Sequence, residues 1–576
     1  MHAVCTTLLI ETSPQALPLG AACIASSIKN HSLTKDIFNT VELIAISKEE
    51  EGFCKAEKTN TTAEYIAEKL CKNGAPDFAC FSVYVWNRNY LEEAALYLKK
   101  KNPSIVTIAG GPEVTANPES FSNFDYTIAG AGELAIPELI SLIINGKKAE
   151  IPGVYQKILK THNVPEAPQK SSVCRATVPD LASISSPYLD GTLDVKDYGG
   201  ALWELARGCP FKCSYCYESK GEKKIQYFPM ERIEKELELF NKNKISQVFV
   251  LDPTYNANKK RALDLLNLIA KKAPGMFFYF EARAEFIDRE LARAFTKIPC
   301  ALQFGLQSAD PEVLKLVHRT LDKKLFTRNI GYLNETGAIF GFDLIYGLPG
   351  DTLEGFKKSI DFALNLYPNN LETFCLSVLP GTDLADTADS LGLVYEKTAP
   401  YHVLKTDKYS EKDLANAEKI SHACNIFYNN GRSVPWFNSV CHALHQRPSL
   451  FLEDFAFWYE KNIQPKNALT LINFDYTNGN AHKKIEELQI AFVKEHFTKR
   501  GRQNLLKVTE NLIRFNGALS RVESDRKEQT VQLDYHPDDL ASQYATDIQF
   551  FSKNCRPFKN KTRCFKNKNG QTDWRL

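Results

Sequence analysis

Residues 204–219 read Glu204-Leu-Ala-Arg-Gly-Cys209-Pro-Phe-Lys-Cys213-Ser-Tyr-Cys216-Tyr-Glu-Ser219. Three of the chain's fifteen cysteines fall here within eight residues, in the spacing C-x3-C-x2-C, and the others are scattered. Thiolates are the usual ligands of iron–sulfur clusters. Three of them leave one iron of a 4Fe–4S cluster open to a small molecule, whereas four would close it for electron transfer alone. Zinc is the competing metal, but it favours paired C-x2-C knuckles with four ligands, and no second knuckle or His pair lies nearby. The remaining reading is three packed core cysteines.

The loop sits at the start of a repeating pattern. Apolar runs ALWELARG, SQVFVLD, FFYFEAR, CALQFGLQ, AIFGFDLIYG and LETFCLSVLP alternate with helical segments that begin near Pro229, Lys259, Asp288, Asp310, Lys323 and Leu353. Six βα units over residues 199–385 predict a partial barrel with functional groups at the C-terminal strand ends. The cysteines directly follow its first strand.

Residues 1–150 alternate in the same way. CTTLLIET, VELIAIS, FACFSVYV, SIVTIAGG and FDYTIAGAGE read as strands, apolar throughout as in a parallel sheet covered on both faces. LPLGAACIASSIKN, TTAEYIAEKLCKN, YLEEAALYLKKK and LAIPELISLII read as the covering helices. The pattern is a doubly wound, Rossmann-like α/β domain. Residues 151–198 hold five prolines and no sustained periodicity, and read as a linker. Residues 386–576 read as a mostly helical extension. Its last 26 residues, 551–576, carry eight Lys or Arg against one Asp, which predicts an exposed, partly disordered basic tail. Cys441-His442-Ala-Leu-His445 invites a metal reading, but surface or core histidines are the expectation.

Composition narrows the class. With 576 residues, about three domains are expected, and 44 % apolar residues allow large cores. The net charge of +2 argues against a general polyanion binder, so nucleic acid is not an expected partner. MHAVCTTLLIETSPQ lacks the basic and apolar regions of a leader, and no stretch of about 20 apolar residues predicts a membrane span. A reducing cytoplasm is the expected compartment.

RGCPFKCSYCYES resembles the signature of the radical SAM superfamily, with Tyr215 as the aromatic before the last cysteine. The resemblance implies that Cys209, Cys213 and Cys216 hold a 4Fe–4S cluster. Its open iron would chelate S-adenosylmethionine, which one-electron reduction cleaves to methionine and a 5′-deoxyadenosyl radical. It also places S-adenosylmethionine contacts at Tyr215, Asp252, Glu281, Arg283, Gln307 and Ser308, at or near the strand ends. A ferredoxin or flavodoxin would be the electron donor.

Residues 1–150 resemble the cobalamin-binding domain that precedes many radical SAM barrels. The matching residues are Leu17 and Gly20 opening the first helix, Ser82 and Tyr84 after the third strand, Gly110, Gly111, Pro112 and Glu113 after the fourth, and Gly130, Gly132 and Glu133 after the fifth. The loop after the first strand, Glu11–Gly20, has no histidine, so it supplies no lower axial ligand to cobalt. The extension, with Pro400-Tyr401, resembles a C-terminal region of unknown function in one subgroup.

Together the resemblances imply a cobalamin-dependent radical SAM methyltransferase, similar to the class B family, acting on an unactivated carbon. A rearrangement or cyclisation with the same cofactors, an RNA methylthiotransferase, and a non-enzymatic cobalamin sensor are the alternatives. No motif names the substrate.

Overall fold

The computed structural model describes residues 1–157, 173–220, 224–463 and 479–576. The chain divides into two compact units. The first comprises Met1–Ala301 with Ser377–Ser390 and Tyr395–His402; the second comprises Leu302–Leu376, Leu391–Val394 and Val403–Leu576. Among the described residues, no helix is long and apolar enough to cross a membrane.

The first unit opens with β1 (His2–Leu9), α1 (Leu19–Asn30), β2 (Thr40–Ser47), α2 (Glu51–Lys58), α3 (Thr62–Leu70), β3 (Phe78–Ser82), α4 (Arg88–Lys101), β4 (Val106–Gly110), α5 (Pro112–Ala116), β5 (Tyr126–Ile128), α6 (Gly132–Ile144) and β6 (Val154–Gln156). The sheet order is β2-β1-β3-β4-β5-β6. The first five strands are parallel, and β1 registers Ala3 against Val41 on one side and Phe78 on the other. Its two faces have separate cores. Phe53, Ile66, Leu70, Leu91 and Leu98 cover one, and Ala21, Ala25, Ile28, Ile136, Leu139 and Ile140 cover the other. This is the doubly wound arrangement expected from the unbroken apolar strands.

Three elements were not expected, among them the short helix Pro112–Ala116. The helix Glu51–Lys58 precedes the one read from residues 61–73. β6 lies inside the proline-rich linker and pairs antiparallel with β5, Val154 opposite Ile128. Three residues are too few to show a period. The middle of the linker, 158–172, lies outside the described residues.

The rest of the linker is bonded down. Asp190 accepts from Ser26 Oγ at 2.5 Å and Asn30 Nδ2 at 2.7 Å, both on α1. Tyr188 Oη donates to the Leu202 carbonyl at 2.5 Å. These bonds tether the parallel strands Gly200–Trp203, Gln247–Val250 and Phe277–Ala282, which occupy the predicted positions. Trp203 is buried at the base and donates to Glu236 Oε2 at 2.9 Å. Glu236 in turn accepts from Ser186 Oγ and pairs with Arg232.

In the second unit, Ile339–Tyr346 and Asn370–Cys375 pair in parallel, Gly341 opposite Asn370. The strand Cys300–Gln307 straddles the boundary between the units. The extension contains the helices Glu411–Ala423, Phe437–Ala443, Pro448–Asn462, Gly479–Lys499 and Leu506–Asp525. Phe427, Trp436, Phe437, Phe451, Phe455 and Phe492 form its aromatic centre. Cys441 points into this core while His442 and His445 are exposed, so they do not converge.

The expectation of a partly disordered tail is corrected. Gln529–Leu533, Asn560–Lys566 and Thr572–Arg575 form a three-stranded antiparallel sheet. Thr562 and Cys564 face inward at 0 % exposure while Lys561 and Arg563 face out. Alternate positions carry the basic residues, so charge hid the two-residue period of a half-buried strand. Cys564→Asp buries an unpaired carboxylate and is expected to expose the stretch 529–576 to limited proteolysis. Lys561→Asp, on the wet face, leaves the digestion pattern unchanged.

Candidate functional site

A cavity of about 750 Å³ opens at the carboxyl edge of the first sheet, entirely within the first unit. One wall consists of the turns after β1, β3, β4 and β5. It includes Leu17, Gly20, Ser82, Tyr84, Gly110, Gly111, Pro112, Gly130, Gly132 and Glu133, all singled out from the sequence. The opposite wall consists of Leu202, Glu204, Arg207, Tyr217, Glu218 and Leu251.

The glycine turns are sterically required. Gly111 has φ +109°, and a Cβ there would lie 2.5 Å from the Val83 carbonyl oxygen. Gly20 faces the Tyr84 hydroxyl, 2.7 Å from where its Cβ would be. The turns at Gly20 and Gly111 are thus packed too closely on their own neighbours to take a side chain. The floor is apolar and made of small residues, with Cys5, Ala21, Cys23, Cys80 and Ile108. Tyr84 stacks on Trp86 with ring centroids 4.6 Å apart. Burial pushes the Tyr84 phenol up to about 12, keeping it neutral. No histidine is among the lining residues. Glu113 does not line the cavity; it is buried just behind the Gly110–Pro112 turn and bonded to Tyr401 and Arg88.

Arg207 joins the two walls. It binds Glu204 through Nε and Nη2, at 2.8 and 3.0 Å, and reaches Glu133 Oε1 at 2.7 Å. Glu133 is in the first turn of α6, where the helix dipole favours a carboxylate. Two residues after Arg207 comes Cys209.

The cysteine loop is compact. The Cys216 N–H donates to the Cys213 carbonyl at 3.1 Å. Backbone amides of Phe211 and Glu218 donate to the sulfurs of Cys209 and Cys216. Burial raises both thiols, Cys216 to about 11, and the charges of the other loop cysteines raise them further. Among the described residues, no three Cys, His, Asp or Glu side chains close around a single metal ion. Amide donors aimed at sulfur are what a cluster site needs.

The other candidates have different surroundings. Asp252 is buried, and its Oδ1 accepts the N–H groups of Leu205 and Ala206, both at 2.9 Å, ahead of the cysteine loop. Arg283 pairs with Glu285 at 2.6 Å and lies 4.2 Å over the Phe211 ring in the cysteine loop. Tyr215 is half-buried. Glu281 is exposed, and desolvation by the surrounding protein and then the charge of Glu218 push its carboxyl upward. In the second unit, Gln307 has φ +66° and a buried Oε1 with no hydrogen-bond partner among the described residues. Ser308 is fully buried and accepts the Asp310 N–H at 3.1 Å.

Sequence reasoning missed Glu204, Arg207, Tyr217 and Glu218 as part of the cavity. Their nearness to the cysteines was the available signal.

The chain matches known families over three segments. Residues 203–363 match the radical SAM superfamily, 6–140 the B12 binding domain, and 389–470 a protein family of unknown function. An uncharacterized methyltransferase of Pyrococcus horikoshii is 25 % identical over 384 residues, which cover 64 % of this chain and 78 % of that protein. The cobalamin-dependent radical SAM methyltransferase TokK of Streptomyces tokunonensis is 26 % identical over 337 residues. That match covers 54 % of this chain and 48 % of TokK, so the chain spans about half the length of that relative. The solved structure of OxsB, a cobalamin-dependent S-adenosylmethionine radical enzyme with aqua-cobalamin and S-adenosylmethionine bound, superposes with a TM-score of 0.56. It covers 87 % of this chain and 80 % of that one at 15 % identity, a likeness of fold.

Burial pushes the Asp252 carboxyl up to about 7, against the partial relief of its two amide donors. Its unfolded value is about 3.9. The folded state therefore holds the extra proton between those values, and the residue lowers stability as pH rises through them. Asp252→Asn keeps the Oδ1 acceptor and does not titrate. The variant is expected to gain about 2–4 kcal/mol on the wild type from pH 4.5 to pH 7.5. Denaturant midpoints across that range measure it, and parallel pH curves for the two proteins would contradict it.

Proposed function

We propose that this chain, a member of the radical SAM superfamily with a B12-binding domain ahead of its barrel, is a cobalamin-dependent radical enzyme that methylates an unactivated carbon. One observation carries the reading. The residues that flank the cysteine loop, Arg207 before it and Tyr217 after it, line the glycine-turned cavity, and Arg207 pairs there with Glu133 at 2.7 Å. The Pyrococcus and Streptomyces relatives are both named as methyltransferases.

The residues fit these cofactors. Cys209, Cys213 and Cys216 would hold three irons of a 4Fe–4S cluster, their thiol protons leaving on binding. The turns at Gly20, Gly110–Pro112 and Gly130–Glu133 would cradle cobalamin over the apolar floor. When bound, these groups supply reductive cleavage of S-adenosylmethionine to a carbon radical and a cobalt-carried methyl group.

The protein's own part is to bind, orient and exclude water. Glu218 and Glu281 provide carboxyl groups in the first unit, suited to the sulfonium and ammonium of S-adenosylmethionine. Tyr215 and Glu281 are its proposed contacts in that unit. Asp252 and Arg283 act as supports of the cysteine loop, through the Leu205 and Ala206 amides and the Phe211 ring. Tyr84, neutral and stacked on Trp86, walls the cavity without adding charge. An external one-electron donor completes the redox balance.

Anaerobic reconstitution with iron, sulfide and hydroxocobalamin tests the reading. About four irons per chain are expected, falling below one in Cys213→Ala. With a strong reductant, S-adenosylmethionine and cell extract as substrate source, the wild type is expected to form both 5′-deoxyadenosine and S-adenosylhomocysteine. Cys213→Ala is expected to form no deoxyadenosine. Deoxyadenosine without S-adenosylhomocysteine would assign a non-methylating reaction, about eight irons a methylthiotransferase, and no deoxyadenosine a non-enzymatic role.

Among the described residues, no histidine lines the cavity, which makes a second, spectroscopic prediction. Bound cob(II)alamin is expected to give the same EPR nitrogen splitting in protein labelled with 15N-histidine as in unlabelled protein. A splitting that changes with the label would contradict the histidine-free reading of the site.

A further inference from the structure

Beyond its sixth barrel strand the chain returns to the first unit. Ser377–Ser390 and Tyr395–His402 belong to that unit, although the residues around them do not. Three contacts tie this return to the two loops of the site. The Leu384 N–H donates to the Ser214 carbonyl at 2.8 Å, and Ser214 lies inside the cysteine loop. Gly381, at φ +75°, is packed so close that a Cβ would stand 3.2 Å from Ala116 Cα, at the end of α5. The Tyr401 hydroxyl donates to Glu113 Oε2 at 2.9 Å, directly behind the Gly110–Pro112 turn.

The Tyr401 contact is built rather than incidental. Tyr401 and Glu113 are each 4 % exposed. Arg88 approaches the same Glu113 oxygen at 3.3 Å and stacks on Phe121. Tyr401 has φ +60°, a left-handed conformation that bulky side chains rarely adopt. Its own N–H donates to Thr398 and its carbonyl accepts from Val378, both at 2.9 Å, so the two arms of the return are fastened together. A conformation held against local preference by several bonds marks a position that the surrounding structure specifies.

We propose that Ser377–Ser390 and Tyr395–His402 form a strap that sets the cofactor-cavity turn Gly110–Glu113 against the cysteine loop, with Tyr401 as its positioning residue. The strap grips the turn through Glu113 and the loop through Ser214, so it fixes the separation of the two cofactor sites. Tyr401 acts through Glu113 and touches neither cofactor. The proposal rests on the reading that the cavity takes cobalamin and the loop a cluster.

The test uses the full chain reconstituted anaerobically with iron and sulfide, and hydroxocobalamin as the probe. Tyr401→Phe keeps the ring and removes only the hydroxyl. It is expected to weaken hydroxocobalamin about tenfold, the consequence of leaving a buried carboxylate one donor short. Iron per chain is expected to stay at the wild-type value. Pulsed EPR between cob(II)alamin and the reduced cluster is expected to show a broader distance distribution than in the wild type. Glu113→Gln, altering the same bond from the other side, is expected to broaden it likewise. A purely packing role predicts none of these changes. A wild type that binds hydroxocobalamin, with both variants matching it within twofold in affinity and in distance distribution, would overturn the strap. A wild type that binds no hydroxocobalamin would instead overturn the cofactor reading, and the strap with it.

Discussion

The ion pair between Arg207 and Glu133 is the constraint on which the site depends. Glu133 opens α6 at the edge of the first sheet, and Arg207 ends the approach to the cysteine loop. Glu133 is 7 % exposed, so its carboxylate has little access to water as a substitute partner. Removing Arg207 leaves that carboxylate buried without its cation, which is destabilising. Arg207 also forks onto Glu204, which fixes the guanidinium plane as well as its position. Loop, strand and helix N-terminus are therefore held in one geometry by a single side chain.

Around that pair the first unit divides its work by residue type. Glycines and small apolar residues form the cavity, leaving room and bare backbone. Carboxylates collect on the wall beside the cysteines, where a cationic sulfonium cofactor is proposed to bind. Buried polar groups away from the cavity hold the loops: Asp252 on the Leu205 and Ala206 amides, Glu236 on Trp203, Asp190 on α1. The division separates groups that face a ligand from groups that keep the ligand-facing loops in place.

Much of the fold was legible because the first sheet is covered on both faces and its strands read as continuous apolar runs. The contents of the site were less legible, because polar residues at strand ends serve two purposes that look alike in sequence. Asp252 and Ser308 sit where cofactor contacts were expected, yet each accepts backbone amides of its own neighbourhood. Gln307, one residue from Ser308, keeps its oxygen unpaired. Arg207 lay in plain view beside the cysteines, but its partner Glu133 is distant in sequence. Tyr401 had no sequence signal for its bond to Glu113, 288 residues away. The tail misled because its basic residues alternate with buried ones, and net charge outweighed the period.

The central claim is that the glycine-turned cavity and the cysteine loop are one site, joined through Arg207 and Glu133. A double-mutant cycle on hydroxocobalamin affinity tests it most directly, with Arg207→Gln, Glu133→Gln and the pair together. Residues that act through one another give a coupling energy of at least about 1 kcal/mol, and that is the expected result. Effects that add within about 0.3 kcal/mol would mean the cavity and the loop are independent, and would contradict the account.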